Sequence, residues 1–137
     1  MNLVGHGLDL VEVDHFSRLC TDPSADELLA RYFTPAELAL AGVGPNRSQR
    51  LAGRFAAKEA VLKALGTGWS QDIALTDVEI KALPSGAPFV VLHEIAAEIA
   101  ADQGISSWSV SITHTATFAA ASAIALSESP GTDREIG

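Results

Sequence analysis

From Arg47 to Leu65 the chain runs for 19 residues without a proline, is rich in good helix formers, and carries Gly53 as its one internal breaker before stopping at Gly66-Thr67-Gly68. This stretch reads as one long helix with a glycine stop. A chain of 137 residues supports a single compact domain with one core, so the other elements have to be arranged around that helix. On a wheel of about 100° per residue, Arg50, Arg54 and Lys58 form a basic stripe, and Leu51, Phe55 and Leu62 an apolar stripe beside it. Glu59 and Lys63 fall past the other edge at the spacing of a helical ion pair.

The charge pattern singles out the same stretch. The whole chain carries a formal charge of −8, which argues against nucleic-acid binding, because a phosphate backbone needs a basic surface to replace its counterions. Residues 47–63 nevertheless hold Arg47, Arg50, Arg54, Lys58 and Lys63 against Glu59, a local +4, whereas residues 1–32 sum to −4. Such a concentration of cations on an acidic protein suits a small polyanion. No apolar run approaches the roughly 20 residues of a membrane helix, and the N-terminal residues lack a secretory pattern. A cytoplasmic, non-membrane protein is expected. Cys20 is the only cysteine, which excludes an internal disulfide and a thiolate metal cage and reads as a small buried hydrophobe.

Elsewhere, Leu3 to Val13 alternates like a strand, with Asp9 inside it. Asp14 to Cys20 and Asp26 to Tyr32 read as short helices. Thr34-Pro35-Ala36-Glu37 is a capping box that opens a helix to about Leu40. Strands are expected over Thr76 to Lys81 and Phe89 to Leu92, joined by the turn Pro84-Ser85-Gly86-Ala87-Pro88. A helix follows from His93 to Gln103, then a terminal hairpin from Trp108 to Leu126. The fold class is α+β with a largely antiparallel sheet, residues 1–127 forming one domain and 128–137 a polar, frayed tail.

An Asp within an apolar strand must be paired, metal-bound or exposed. Asp9 and Glu59, from separate elements, are candidate ligands for one hard divalent cation, since Mg²⁺ is commonly held by one or two carboxylates, phosphate oxygens and waters. Lys63, one turn from Glu59, is then placed to contact the phosphate. His114 follows a strand where a hairpin corner can aim it at a ligand, or it is simply structural. No second histidine stands at zinc-ligand spacing from it, and His6, His15 and His93 cluster with nothing. Nucleophile-elbow, Walker and dinucleotide-binding glycine motifs are absent.

The stretch Leu51-Ala52-Gly53-Arg54-Phe55-Ala56-Ala57-Lys58-Glu59-Ala60-Val61-Leu62-Lys63-Ala64-Leu65-Gly66-Thr67-Gly68 closely resembles the signature helix of holo-acyl carrier protein synthases, the small bacterial 4′-phosphopantetheinyl transferases. The segments Gly5 to Val13, Phe33 to Leu38, Gly86-Ala87-Pro88 and Ser109 to Thr115 resemble further pieces of that family in the same order. The resemblance implies a 4′-phosphopantetheinyl transferase-like fold, a homotrimer with coenzyme A in clefts between subunits, and Mg²⁺-dependent transfer of 4′-phosphopantetheine from coenzyme A to a serine of an apo acyl carrier protein, releasing adenosine 3′,5′-bisphosphate. Carried over by residue, it makes Asp9 and Glu59 the magnesium ligands and Lys63 a contact to the pyrophosphate; in such an enzyme Glu59, directly or through a metal-bound water, is expected to deprotonate the serine. Arg54, Lys58 and His114 go to the phosphate-rich nucleotide end, with Gly66 and Gly68 admitting close backbone approach.

Two departures stand out. The helix after the opening strand is usually basic in the family and docks the acidic carrier, whereas here Asp14, His15, Asp22 and Asp26 make it acidic, with Arg18 its one early cation. This points to a carrier with a less acidic docking helix, recognised through apolar side chains such as Phe16 and Leu19, or alternatively to a module that binds coenzyme A or a carrier without catalysis. Ala87 also replaces a frequent lysine between Gly86 and Pro88, removing a cation near the nucleotide.

Overall fold

A computed structural model describes residues 1–66 and 72–128. Gly68 and the tail beyond residue 128 lie outside the described residues. In chain order the elements are β1 (Asn2–Glu12), α1 (Val13–Thr21), α2 (Ala25–Ala30), α3 (Pro35–Ala41), α4 (Arg47–Leu65), β2 (Val78–Ala82), β3 (Pro88–Leu92), α5 (Glu94–Asp102), β4 (Ser107–His114) and β5 (Phe118–Ser127). Every strand pair is antiparallel, in a three-stranded sheet of order β1-β5-β4 and a two-stranded sheet β2-β3. The α+β expectation therefore holds, with the strands divided between two sheets. Among the described residues no helix is long and apolar enough to cross a membrane.

The long helix spans the expected residues and ends on Gly66 in the left-handed conformation at φ 75°, a geometry that glycine adopts without a Cβ clash. It crosses one face of the three-stranded sheet. Gly5 and Gly7 of β1 lie so close beneath it that a Cβ on either would overlap the carbonyl oxygen of Ala64 or Ala60. Alternation along β1 is as expected, yet its sides are the reverse of simple hydrophobic logic. Gly7 and the half-buried Asp9 and Val11 share the alternating set that includes Gly5, whereas Leu8 and Leu10 are each 63% exposed on the open face. The strand expected from Thr76 begins at Val78, because residues 75–77 form a single tight turn in which the Ala74 amide donates to the Asp77 carboxylate.

Helix α4 is not amphipathic in the manner of the wheel. Its residues 56–62 are all buried, Lys58 and Glu59 among them. One side packs with Val78, Ile80, Ala96, Ala121 and Ala123, and the N-terminal half with Phe16, Leu29, Phe33 and Ala119. Phe16 is 1% exposed and sits edge-on to Phe33, so it belongs to the core and is not available to a docking partner. Leu19 and Cys20 are half-buried against the same cluster.

Candidate active site

The capping box at Thr34 forms as expected: the Thr34 hydroxyl accepts from the Glu37 amide at 3.2 Å, and the Glu37 carboxylate accepts from the Thr34 amide at 2.9 Å. Glu37 does more than cap. Fully buried, it also accepts from the Ile80 amide at 2.7 Å and pairs with the Lys58 ammonium at 2.6 Å. Lys58 Nζ donates further to the carbonyls of Leu75 and Val78 at 3.0 and 2.7 Å. An ammonium has three donors, and all three are engaged here. Burial pulls the Lys58 pKa down, and Glu37 opposes that. The assignment of Lys58 to a phosphate-binding role is thus corrected: its side chain is 0% exposed and bridges α4 to α3 and β2. Thr34 also donates to Glu79 at 2.7 Å, whose other oxygen contacts His93 Nε2 at 3.0 Å. Those two contacts hold the Glu79 carboxyl below the usual range, the Thr34 bond first.

Asp9, Glu59 and Lys63 converge where β1 crosses the C-terminal half of α4. Lys63 does not turn back to form the helical ion pair with Glu59. It reaches across to Asp9 Oδ1 at 3.0 Å and donates to the Leu8 carbonyl at 2.9 Å. Glu59 is buried, and its Oε2 has no hydrogen-bond partner among the described residues. Burial first, and then the nearby Asp9 charge, raise the Glu59 pKa above the usual carboxylate range, with Lys63 opposing. An orphaned buried carboxylate oxygen beside a second carboxylate is costly unless something positive joins it. Among the described residues no three His, Cys, Asp or Glu side chains gather into a metal cage, so the pair suits an oxygen-seeking cation that keeps water and ligand oxygens.

A second feature lies toward the N-terminal half of α4. A cavity of about 230 Å³ is lined by Arg50, Gly53, Arg54, Lys81, Gly86 and His114, among others. Burial pulls the Arg54 guanidinium below its ordinary range, against Glu37, and its Nε has no partner among the described residues. Arg50 is partly occupied by the Ala41 carbonyl at 3.0 Å. Arg54 and His114, expected together, do share this cavity; Gly66 caps α4 at its far end. Lys81 was not expected. Its signal was masked because the hairpin that brings it here joins α4 only in the folded chain. His15 stacks edge-on against Phe16, and His6 is exposed.

Comparison with known proteins gives the same answer from several directions. A family model for the 4′-phosphopantetheinyl transferase superfamily matches residues 5–122. The holo-[acyl-carrier-protein] synthase of Solibacter usitatus is 41% identical over 122 residues, spanning 89% of this chain and 97% of that protein. The protein of the same name from Desulforudis audaxviator is 42% identical over 127 residues, spanning 93% and 95%. Among solved structures, Helicobacter pylori holo-[acyl-carrier-protein] synthase in complex with coenzyme A superposes with a TM-score of 0.76 at 31% identity, covering 88% of this chain and 99% of that one. The Neisseria meningitidis enzyme superposes with a TM-score of 0.79 at 29% identity, covering 91% and 99%. A match that spans both β1 with Asp9 and α4 with Glu59 and Lys63 takes in the elements of the carboxylate site, and the chain belongs to the 4′-phosphopantetheinyl transferase superfamily.

Proposed function

We propose that the chain transfers 4′-phosphopantetheine from coenzyme A to a serine of an apo acyl carrier protein, releasing adenosine 3′,5′-bisphosphate, and that it works with Mg²⁺ as a cytoplasmic homotrimer. The observation that carries this reading is the meeting of Asp9, Lys63 and a buried Glu59 whose Oε2 is unpartnered among the described residues. Asp9 and Glu59 would hold Mg²⁺, which when bound supplies positive charge to the pyrophosphate oxygens. Lys63, with 54% of its side chain exposed and two of its three donors engaged, offers the third to a phosphoryl oxygen. Glu59 receives the serine proton, directly or through a water. The serine oxygen forms its bond to the phosphorus that bears the pantetheine arm as the bond from that phosphorus to the bridging oxygen breaks, leaving the adenosine-side phosphate as leaving group.

The cavity with Arg54, Lys81 and His114 suits the phosphate-rich nucleotide end. Arg54 stands five residues before Glu59, about 7.5 Å along the helix and about 140° around it. The two features therefore face different directions from one chain, which favours a ligand shared between copies. The open face of the three-stranded sheet favours the same arrangement. There Leu8 and Leu10 are exposed beside a hollow of about 180 Å³ that Leu8 shares with Ser111, Thr113, Ala120 and Ser122, a surface suited to a second and third copy.

The test is incubation with coenzyme A, Mg²⁺ and a panel of apo acyl carrier proteins, read by intact mass. A phosphopantetheine mass gain on a carrier, dependent on Mg²⁺, is expected. Coenzyme A binding with no mass gain on any carrier would favour the binding-module alternative.

A further inference from the structure

We infer that the buried Lys58–Glu37 pair is a positioning device, fixing the rotation of α4 about its own axis and so aiming Glu59 at Asp9. The catalytic consequence rests on the role proposed for Glu59; the geometric argument does not.

Large side chains of helix α4, Leu51, Val61, Leu62 and Leu65, are buried in the two core clusters, but where the helix crosses the three-stranded sheet the contact is made by small residues. The buried residues of the helix also include Ala52, Ala56, Ala57, Ala60 and Ala64, and its contact with β1 is glycine against alanine backbone. A contact this smooth carries few interlocking knobs on the side of the helix that bears the carboxylate site, and interlocking helps to fix how far a helix is turned. A directional constraint is supplied at Lys58. Its three donors meet two carbonyls on the segment leading into and opening β2 and one carboxylate on α3. That carboxylate is itself held by the amides of Thr34 and Ile80. A polar anchor with every bond satisfied specifies one arrangement where apolar contact would accept several, the best-attested use of a buried polar group.

The next residue in the helix is Glu59. With its carboxylate roughly 6 Å from the axis, a rotation of about 10° moves it by about 1 Å, and a misplacement of that size can cost about a hundredfold in rate. Lys58 makes no bond to the Asp9 carboxylate and does not line the cavity with Arg54; the charge of Glu37 does act on Arg54, a separate route that the KM for coenzyme A reports, whereas Glu59 is reached through the helix that Lys58 turns.

The test uses the full chain in three forms: wild type, Lys58→Met, and Lys58→Met/Glu37→Gln, which removes both charges so that no lone ion is left buried. Circular dichroism and thermal midpoint report the fold. Transfer kinetics report kcat and the KM for coenzyme A, and water-proton relaxation reports Mn²⁺ affinity in the presence of coenzyme A. The double variant is expected to fold, to keep its KM within about threefold, to lose about 30- to 100-fold in kcat, and to bind Mn²⁺ about tenfold more weakly. A merely structural pair would lower the thermal midpoint while leaving kcat per folded molecule and Mn²⁺ affinity unchanged, and that result overturns the inference. So does failure of both variants to fold at any temperature, which would make the pair a condition of folding. If the wild type modifies no carrier, the functional reading fails, and Mn²⁺ affinity still decides whether the pair aims Glu59.

Discussion

Replacing Glu59 by Gln should raise the thermal stability of the metal-free protein while removing its transfer activity. The buried Oε2 has no partner among the described residues, and its carboxyl pKa is raised by burial and by Asp9. An unsatisfied buried acceptor costs about 1–3 kcal/mol, more when charged. An amide of the same shape is neutral and offers a donor to Asp9, so roughly 1 kcal/mol of that cost should be recovered, or about 3–5 °C in Tm for a chain of this size. The pH dependence has a definite sign. A group whose pKa is raised on folding favours the folded state most below its unfolded pKa, and that advantage is lost as pH rises through the folded value. The penalty relieved by Gln is therefore full above the folded pKa and shrinks as pH falls toward the ordinary carboxylate range. Scanning calorimetry in chelator from about pH 4, near the ordinary carboxylate pKa, to about pH 8 should show the gap between variant and wild type widening with pH. Adding Mg²⁺ should close or reverse it, because only the wild type keeps both carboxylates for binding. Transfer should fall by about 10²–10⁴, the usual contribution of a general base. A variant less stable than wild type at about pH 8, or a gap that does not change with pH, refutes the account of Glu59 as a strained carboxylate. Turnover like that of the wild type at saturating Mg²⁺ removes Glu59 from the mechanism.

Gly7→Ala should destabilise by about 3 kcal/mol or more, because the new methyl would overlap the Ala60 carbonyl and β1 would have to lift off α4; an unchanged urea midpoint would contradict that close approach. Leu8→Asp/Leu10→Asp should convert a trimer to monomers in light scattering and take transfer with it, whereas an unaltered mass would show that the open sheet face is not the interface. Asp14, Asp22, Asp26 and Glu27 are exposed around α1 and α2, so raising salt should speed, or leave unchanged, pairing with an ordinary acidic carrier. A steep fall in kcat/KM over the same range would mean that attraction dominates and that the docking face lies elsewhere.

Signals confined to one stretch of chain were legible. The 19-residue helix, its Gly66 stop, the Thr34 capping box and the two hairpins all follow from propensity, cap chemistry and turn residues a few positions apart. Asp9 was legible as an anomaly, since an acidic residue amid apolar neighbours requires a partner, and Lys63 is that partner at 3.0 Å. Lys58 was misread because a helical wheel sends charge to water, whereas its acceptors come from Glu37, Leu75 and Val78, each at least 17 positions away. The same limit hid Lys81 in the cavity. It also made Phe16 look like a surface contact, when Phe33 and Phe55 close over it. Leu8 and Leu10 show the opposite failure: alternation finds a strand but does not say which face the helix covers.

The passage from β1 to α1 takes place between Glu12 and Val13 with no loop, and the Val13 amide is held by the Thr117 carbonyl at 2.9 Å. Mechanically this makes the strand a pushrod and not a tether. A protein that grips α1 loads a rigid element that ends only three residues from Asp9, with no slack to absorb the displacement. Insertions that ordinary connections tolerate would lengthen the rod and shift the carboxylate. Under the proposed function, a carrier docked on α1 and a cation held at Asp9 would thus be mechanically in series, and a shift of α1 would be transmitted to the Asp9 end of the carboxylate pair.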